Sequence, residues 1–172
     1  MPRTKVRHRR RSRLAIDTLE VRLAPATDVL SFHGDLASTG VINTETELTP
    51  ANVDVNSFGK LKSITLDGQA YAQPLIKTGV NIVDGPNTTS GVAGTYDVVF
   101  VATQHNSLYA IDAGTSGQIL WHRNFLDVNV PQNNTLGATA ISTLTAGDVG
   151  SQDITPEIGI TGTPVIDPVT GT

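Results

Sequence analysis

Three carboxylates, Asp148, Asp153 and Glu157, lie close together in a glycine-containing stretch, GDVGSQDITPE. Hard oxygen ligands on a flexible loop are what Ca²⁺ takes, so these three are weak Ca²⁺ candidates, weighed against a plain solvated loop. A second loop, Asp112-Ala113-Gly114-Thr115-Ser116-Gly117, begins as a Ca²⁺ loop does. The position where such a loop needs a bidentate Glu holds Arg123, which favours a turn between strands. The four histidines (His8, His33, His105, His122) show no metal-ligand spacing. His105 precedes Asn106 in a turn and His122 follows Trp121, so structural roles are expected for both. With no cysteine, the chain has no disulfide framework, Cys-ligated zinc, iron–sulfur cluster or thiol nucleophile. No catalytic residue and no cofactor-binding residue is identified.

The elements that would hold these residues are strands. Candidate strands are Lys60–Leu66, Ala70–Ile76, Asp97–Ala102, Ser107–Ile111, Gln118–His122 and Gly159–Ile166, most of them separated by Gly- or Pro-containing turns. The stretch Asp84–Thr95 reads as a flexible surface loop, and residues 126–157 as a long irregular insertion. In that insertion only Thr139–Leu144 is suited to a helix. From Asp28 to Asn56 ordered loops with weak secondary structure are expected, with a short strand at Val29–Phe32 and a turn capped by Thr49 before Pro50. Short connections between Asp97 and His122 require antiparallel neighbours, since a parallel crossover needs a dozen or more residues. Val98-Val99-Phe100-Val101-Ala102 and Ile119-Leu120-Trp121 are apolar on both faces, so this sheet should be covered on both sides. Five of the eight aromatic residues (Tyr96, Phe100, Tyr109, Trp121, Phe125) lie here, which places the core.

Charge divides the chain of 172 residues into two parts. Seven of its 12 basic residues fall in positions 1–13, which hold no acid, leaving five basic against 16 acidic groups in the rest. Seven like charges bury nothing, so the start should be disordered. A nucleic-acid arm is disfavoured because the acidic body would be repelled by the same phosphates. An ordinary secretory or twin-arginine signal fails because the continuation, Leu14-Ala15-Ile16-Asp17-Thr18-Leu19-Glu20, is interrupted by acids. No apolar run approaches a membrane span. Charged residues make up 16%, and Gly (16 residues) and Thr are abundant, as in β-rich exported proteins.

Two resemblances add to this reading. Arg13-Leu14 followed by Leu19-Glu20-Val21-Arg22-Leu23-Ala24-Pro25-Ala26 is similar to an LExRLxPA segment found behind an Arg-rich start in surface or secreted proteins of planctomycete-type bacteria. It implies export, with the chain extracellular or at the cell surface. In a bacterial protein the sequons Asn87-Thr88-Thr89 and Asn133-Asn134-Thr135 are read as accidental. Second, Val99-Phe100-Val101-Ala102-Thr103, Ser107-Leu108-Tyr109-Ala110-Ile111-Asp112-Ala113 and Gly117-Gln118-Ile119-Leu120-Trp121 resemble the repeat of PQQ-like (quinoprotein-type) β-propellers. Leu66–Leu75 and Pro156–Asp167 look like further pieces of such proteins. The resemblance makes Ala110, Asp112, Gly117 and Trp121 structural repeat positions, with Trp121 wedged between blades. No stretch matches the Ca²⁺ and base motifs of the PQQ enzymes, and fold resemblance does not transfer activity.

The expected architecture is therefore all-β, a partial propeller of about one four-stranded antiparallel blade plus the first strand of the next. Its parts are a basic leader (1–26), an irregular segment (27–59), a blade (60–125), a loop insertion (126–157) and a first strand of a further blade (158–172). One blade cannot close a propeller, which takes typically 4–8 of them, so an N-terminal fragment is expected. The expected function is non-catalytic binding or scaffolding at the cell envelope. The alternative is the N-terminal part of a PQQ-dependent dehydrogenase whose site lies beyond Thr172, PQQ and Ca²⁺ entering only in that full-length parent. Expected partners are the remaining blades or a second copy, with no membrane span and no nucleic acid.

Overall fold

The computed structural model describes residues 27–46, 48–56, 58–114, 116–130 and 133–170; the basic leader, read above as an export segment, lies outside them. Four strands, β1 (Leu75–Ile82), β2 (Gly94–Ala102), β3 (Ser107–Asp112) and β4 (Ile119–Asn124), form one sheet in the order β1-β2-β3-β4. Every neighbouring pair is antiparallel. A two-residue pair, β5 (Leu144–Thr145) with β6 (Glu157–Ile158), and a one-turn helix α1 (Ala146–Val149) complete the regular structure with a 3₁₀ turn at Phe32–Gly34. The protein is all-β.

The turns follow from local chemistry. Between β2 and β3 the chain reverses over four residues, closed by Thr103 N donating to Ser107 O at 2.9 Å, with Asn106 at φ 52. Asn is one of the few side chains that tolerates that left-handed conformation. Between β3 and β4 the Asp112 carboxylate accepts from Gly114 N at 2.9 Å and from the Ser116 hydroxyl, and Gly117 sits at φ 59. Of the expected repeat positions, Asp112 and Gly117 thus shape this turn, while Ala110 lies fully buried in β3.

Pleating sorts the apolar run of β2 onto two faces. Val98, Phe100, Ala110 and Trp121 point to one, here the Trp121 face; Val99, Val101, Tyr109 and Ile111 point to the other, the Tyr109 face. In β4 the pairing steps from Ala110↔Trp121 to Ile111↔Ile119 and leaves Leu120 as a bulge. The bulge lets Leu120 and Trp121 pack into the same cluster, which a strictly alternating strand forbids. Val98, Ala110 and Leu120 are fully buried there, with Ile82 and Val92. Val29, Leu75 and Ile166 form a second cluster, and Val101, Tyr109 and Ile111 a third on the Tyr109 face, with Leu66 packed against it.

Both sheet edges are occupied by the chain itself. Of the stretch Asp84–Thr95, expected as a flexible surface loop, the last two residues belong to β2; residues 83–93 cross the Trp121 face, bury Val92, and pair with the outer edge of β4. Thr89 N donates to Leu120 O at 2.9 Å, His122 N to Asn87 O at 3.0 Å, and Thr89 Oγ1 to Ile119 O at 2.8 Å. On the other edge Val29 and Ile76 exchange backbone bonds of 2.8 and 2.9 Å. Asp28 accepts from Thr78 N at 2.7 Å and Thr78 Oγ1 at 2.9 Å and pairs with Lys77 Nζ at 3.2 Å. Such covering interrupts the unpaired N–H and C=O rows that invite strand addition.

Several expected boundaries move. The strand placed at Ala70–Ile76 runs instead from Leu75 to Ile82, past Gly79 at φ 64, where the register shifts and Asp97 Oδ1 accepts Gly79 N at 2.9 Å. The glycine is accommodated as a bulge inside the strand. Lys60–Leu66 forms no strand, because no neighbour offers it a ladder, and only Leu66 is drawn inward. Gly159–Ile166 is likewise irregular, tied by single bonds such as Ile166 N to Leu30 O at 2.9 Å. Thr139–Leu144 is not helical; the helical turn comes just after it, where Thr145 and Asp148 form a reciprocal capping box.

Candidate functional site

The densest polar cluster sits at the β2–β3 turn end of the Tyr109 face. Ser107 opens β3 and is fully buried; His122 lies across from Tyr109 on β4; Asp67 arrives from the irregular segment before β1. Ser107 Oγ donates to Asp67 Oδ2 at 2.5 Å, and Thr103 Oγ1 donates to Asp67 Oδ1 at 2.9 Å. His122 Nε2 lies 3.1 Å from Ser107 Oγ and 3.7 Å from Asp67 Oδ2. The His122 ring stacks on Tyr109, centroids 4.3 Å apart and planes 14° from parallel.

Ser, His and Asp together raise the question of nucleophilic catalysis, and the connectivity answers it. In a catalytic triad the imidazole stands between hydroxyl and carboxylate and takes the hydroxyl proton. Here the serine hydroxyl has one proton and gives it to Asp67, an acceptor only. His122 Nε2 must therefore donate to Ser107 Oγ and cannot act as its base. Ser107 is also sealed from solvent. The chain of donors runs His122 to Ser107 to Asp67, and its effect is to hold a carboxylate ionised in a half-buried place. Burial raises the Asp67 pKa, but hydrogen bonds from Ser107, Thr103 and Tyr109, with the His105 charge, outweigh it and hold the group below the usual carboxylate range. Burial and then the Asp67 charge push the Tyr109 phenol up.

A second arm joins the turn to β6. His105 Nδ1 donates to Glu157 Oε1 at 2.8 Å, and Thr143 Oγ1 donates to Glu157 Oε2 at 2.6 Å. The Thr143 bond, more than the opposing burial, keeps Glu157 below its usual range, with His105 adding to it. Two glycines let the backbones close around the turn. A Cβ on Gly159 would collide with Gln104 O, and one on Gly68 would meet the His105 backbone N at 3.1 Å. Gln104 N donates to Gln69 O at 2.9 Å, which completes the clamp.

The three Ca²⁺ candidates are not brought together. Glu157 has both oxygens on protein donors. Asp148 Oδ2 accepts Thr145 N and Thr145 Oγ1, both at 2.7 Å, and Asp153 Oδ2 accepts Ser151 Oγ at 2.8 Å. Among the described residues, no group of three or more His, Asp or Glu side chains is arranged to hold a metal ion. Among them, too, no helix is long and apolar enough to cross a membrane. Sequence reasoning assigned no role to Asp67, Thr103 or Ser107. The Asp67-Gly68 pair marks only a turn, and nothing in the sequence announces a contact spanning about forty positions.

The other end of the Tyr109 face is apolar. Leu61, Lys62, Ile64 and Leu66 lie over Val99, Val101 and Ile111 and leave a groove of about 560 Å³ that ends at Gly114 and Gly117. Leu61 is 88% exposed on its rim. No family model, no curated protein and no solved structure matches the chain.

Proposed function

We propose that this chain is a non-catalytic binding or scaffold element of a secreted or surface-displayed PQQ-like β-propeller protein, and that its sheet serves as one blade. The reading predicts that such a sheet meets its neighbours through its faces. The observation that carries the proposal is the combination of occupied edges with an open apolar groove on the Tyr109 face. Strand addition has little edge to use, whereas the groove at Val99, Val101 and Ile111 offers apolar surface to a second sheet. The antiparallel meander and the repeat-like residues Ala110, Asp112, Gly117 and Trp121 support the same reading. The LExRLxPA-like segment supports export. The Asp67–Ser107–His122 cluster lends nothing to a catalytic reading, since its serine is buried and its histidine donates.

A second copy of this chain is the simplest test partner, because it carries the same face. Light scattering after size exclusion should show concentration-dependent association of the wild-type chain. Leu61→Glu with Ile64→Glu, both on the groove's rim, should abolish it with the circular dichroism unchanged. A wild-type chain that stays monomeric at every concentration, or association indifferent to the two substitutions, would remove the proposal.

A further inference from the structure

On the opposite face lies a smaller cavity of about 370 Å³, bounded by the end of β1, the loop from Val83 to Thr88, and Phe100, Trp121 and Arg123. Its volume falls within the roughly 300–1,000 Å³ of small-ligand sites. We propose that it binds a neutral, hydroxyl-rich ring, one sugar unit of a glycan. The cavity is made by this sheet and its own loop, so the proposal does not rest on the propeller reading.

The floor is aromatic. Phe100 and Trp121 meet edge to face, centroids 6.4 Å apart at 60°, and both remain half-buried instead of sealed. Ring faces and edges of this kind pack against the C–H surface of a ligand and leave its polar groups free. The rim is polar and unspent. Asn81, Asp84 and Asn87 are exposed, and none of their side chains has a hydrogen-bond partner among the described residues. For Asp84 this is unusual in the molecule. Every other described aspartate accepts at least one hydrogen bond from the chain: Asp28, Asp35 and Asp54 before β1, Asp67, Asp97 and Asp112 around the sheet, and Asp127, Asp148, Asp153 and Asp167 after it.

The frame that carries these groups is set before any ligand arrives. Thr88 Oγ1 donates to Val83 O at 2.9 Å, Thr88 N to Gly85 O at 3.0 Å, and His122 N ties Asn87 O to β4. Arg123 is held by Asn133 Oδ1 at 2.9 Å and by its position over the Phe125 ring, 4.8 Å from the centroid, while its Nε is buried with no partner. A loop backbone and a guanidinium fixed this way lose little freedom on binding. Charge then selects the ligand. One carboxylate and one guanidinium line the cavity, so an anion or a cation meets a like charge as well as an opposite one. Hydroxyl groups donate to Asp84, accept from Arg123, and do both with the two amides. A purely apolar ligand would cover these groups without pairing them, at a cost.

Trp121 is the chain's only tryptophan, so the tryptophan emission arises at this cavity. The full chain, titrated with a panel of neutral hexose and N-acetylhexosamine oligosaccharides, should show a saturable change in emission with at least one of them. Asp84→Ala and Asn87→Ala should each weaken that binding by about tenfold, as loss of a hydrogen bond to a charged or fixed polar group does, with the melting temperature unchanged. No saturable response to any member of the panel would overturn the proposal. So would binding indifferent to both substitutions, or glucuronate or glucosamine oligomers binding more tightly than the neutral ones.

Discussion

The two faces of the sheet are built from one alternating apolar run, yet they end as different surfaces. On the Trp121 face, the loop between β1 and β2 crosses over, buries Val92, and closes a cluster in which Val98, Ala110 and Leu120 are fully buried. On the Tyr109 face the cover comes from residues 61–66, a segment with no ladder of its own, which leaves a groove beside Val99 and Ile111. At the far end of that second face the cover is polar, a clamp of hydrogen bonds around the β2–β3 turn. Alternation thus sets the capacity for burial on each side; the route of the connecting loops decides whether it is used. A loop anchored along a strand edge buries a cluster at the centre of its face, and one anchored only beyond its end, at Asp67 and Gln69, leaves the strands beneath it partly open.

The contrast makes predictions of graded size. The largest effect belongs to the buried cluster of the Trp121 face. Leu120→Ala should cost about 3 kcal/mol, because a fully buried side chain is lost from a cluster that cannot collapse, whereas Val99→Ala beside the groove should cost about 1 kcal/mol or less. Urea denaturation of both variants checks the ranking, and equal losses would mean the two faces are equally closed. Next comes the clamp. Gly159→Ala forces a Cβ onto a backbone oxygen, which cannot move aside as a flexible side chain would, and should cost about 2 kcal/mol in the same assay.

The smallest effect is the acid limb. Asp28, Asp67 and Glu157 all lie below their ordinary values in the folded chain. For Asp28, burial raises the value, but the bonds from Thr78 and Lys77 outweigh it. A depressed carboxylate contributes stability that is present above its unfolded value, about pH 4, and is lost as pH falls through the folded one. Melting temperature should therefore be flat near neutrality and fall below about pH 4. Asp67→Asn should lower stability by about 1 kcal/mol at pH 6 and flatten the acid limb. Parallel wild-type and variant curves would show that Asp67 carries no part of it.

Strands β2, β3 and β4 are legible in the sequence within a few residues, because β-branched and aromatic runs there are bounded by short turns rich in Gly, Asn and Asp. β1 is harder: its expected strand ends at Ile76, but it runs on to Ile82 through a bulge at Gly79 stabilised by Asp97 from the neighbouring strand. Lys60–Leu66 and Gly159–Ile166 have strand-like residues but no partner at ladder distance, and a strand exists only as half of a pair. The polar cluster was not legible at all. Asp67 meets Thr103 and Ser107, and His105 meets Glu157, across separations that leave no local trace.

What the sequence by itself determined is the all-β class, the antiparallel order of the central strands, and apolar side chains on both faces. These are local consequences of residue type, period and connection length. Only the tertiary structure decided which face carries the fully buried cluster, that each edge is bridged by another segment of the chain, and that three separated carboxylates go to three different sets of donors instead of one ion. The physical reason is that burial and hydrogen bonding are satisfied between segments far apart in the chain. Many sequence partners are chemically equivalent, and packing selects among them.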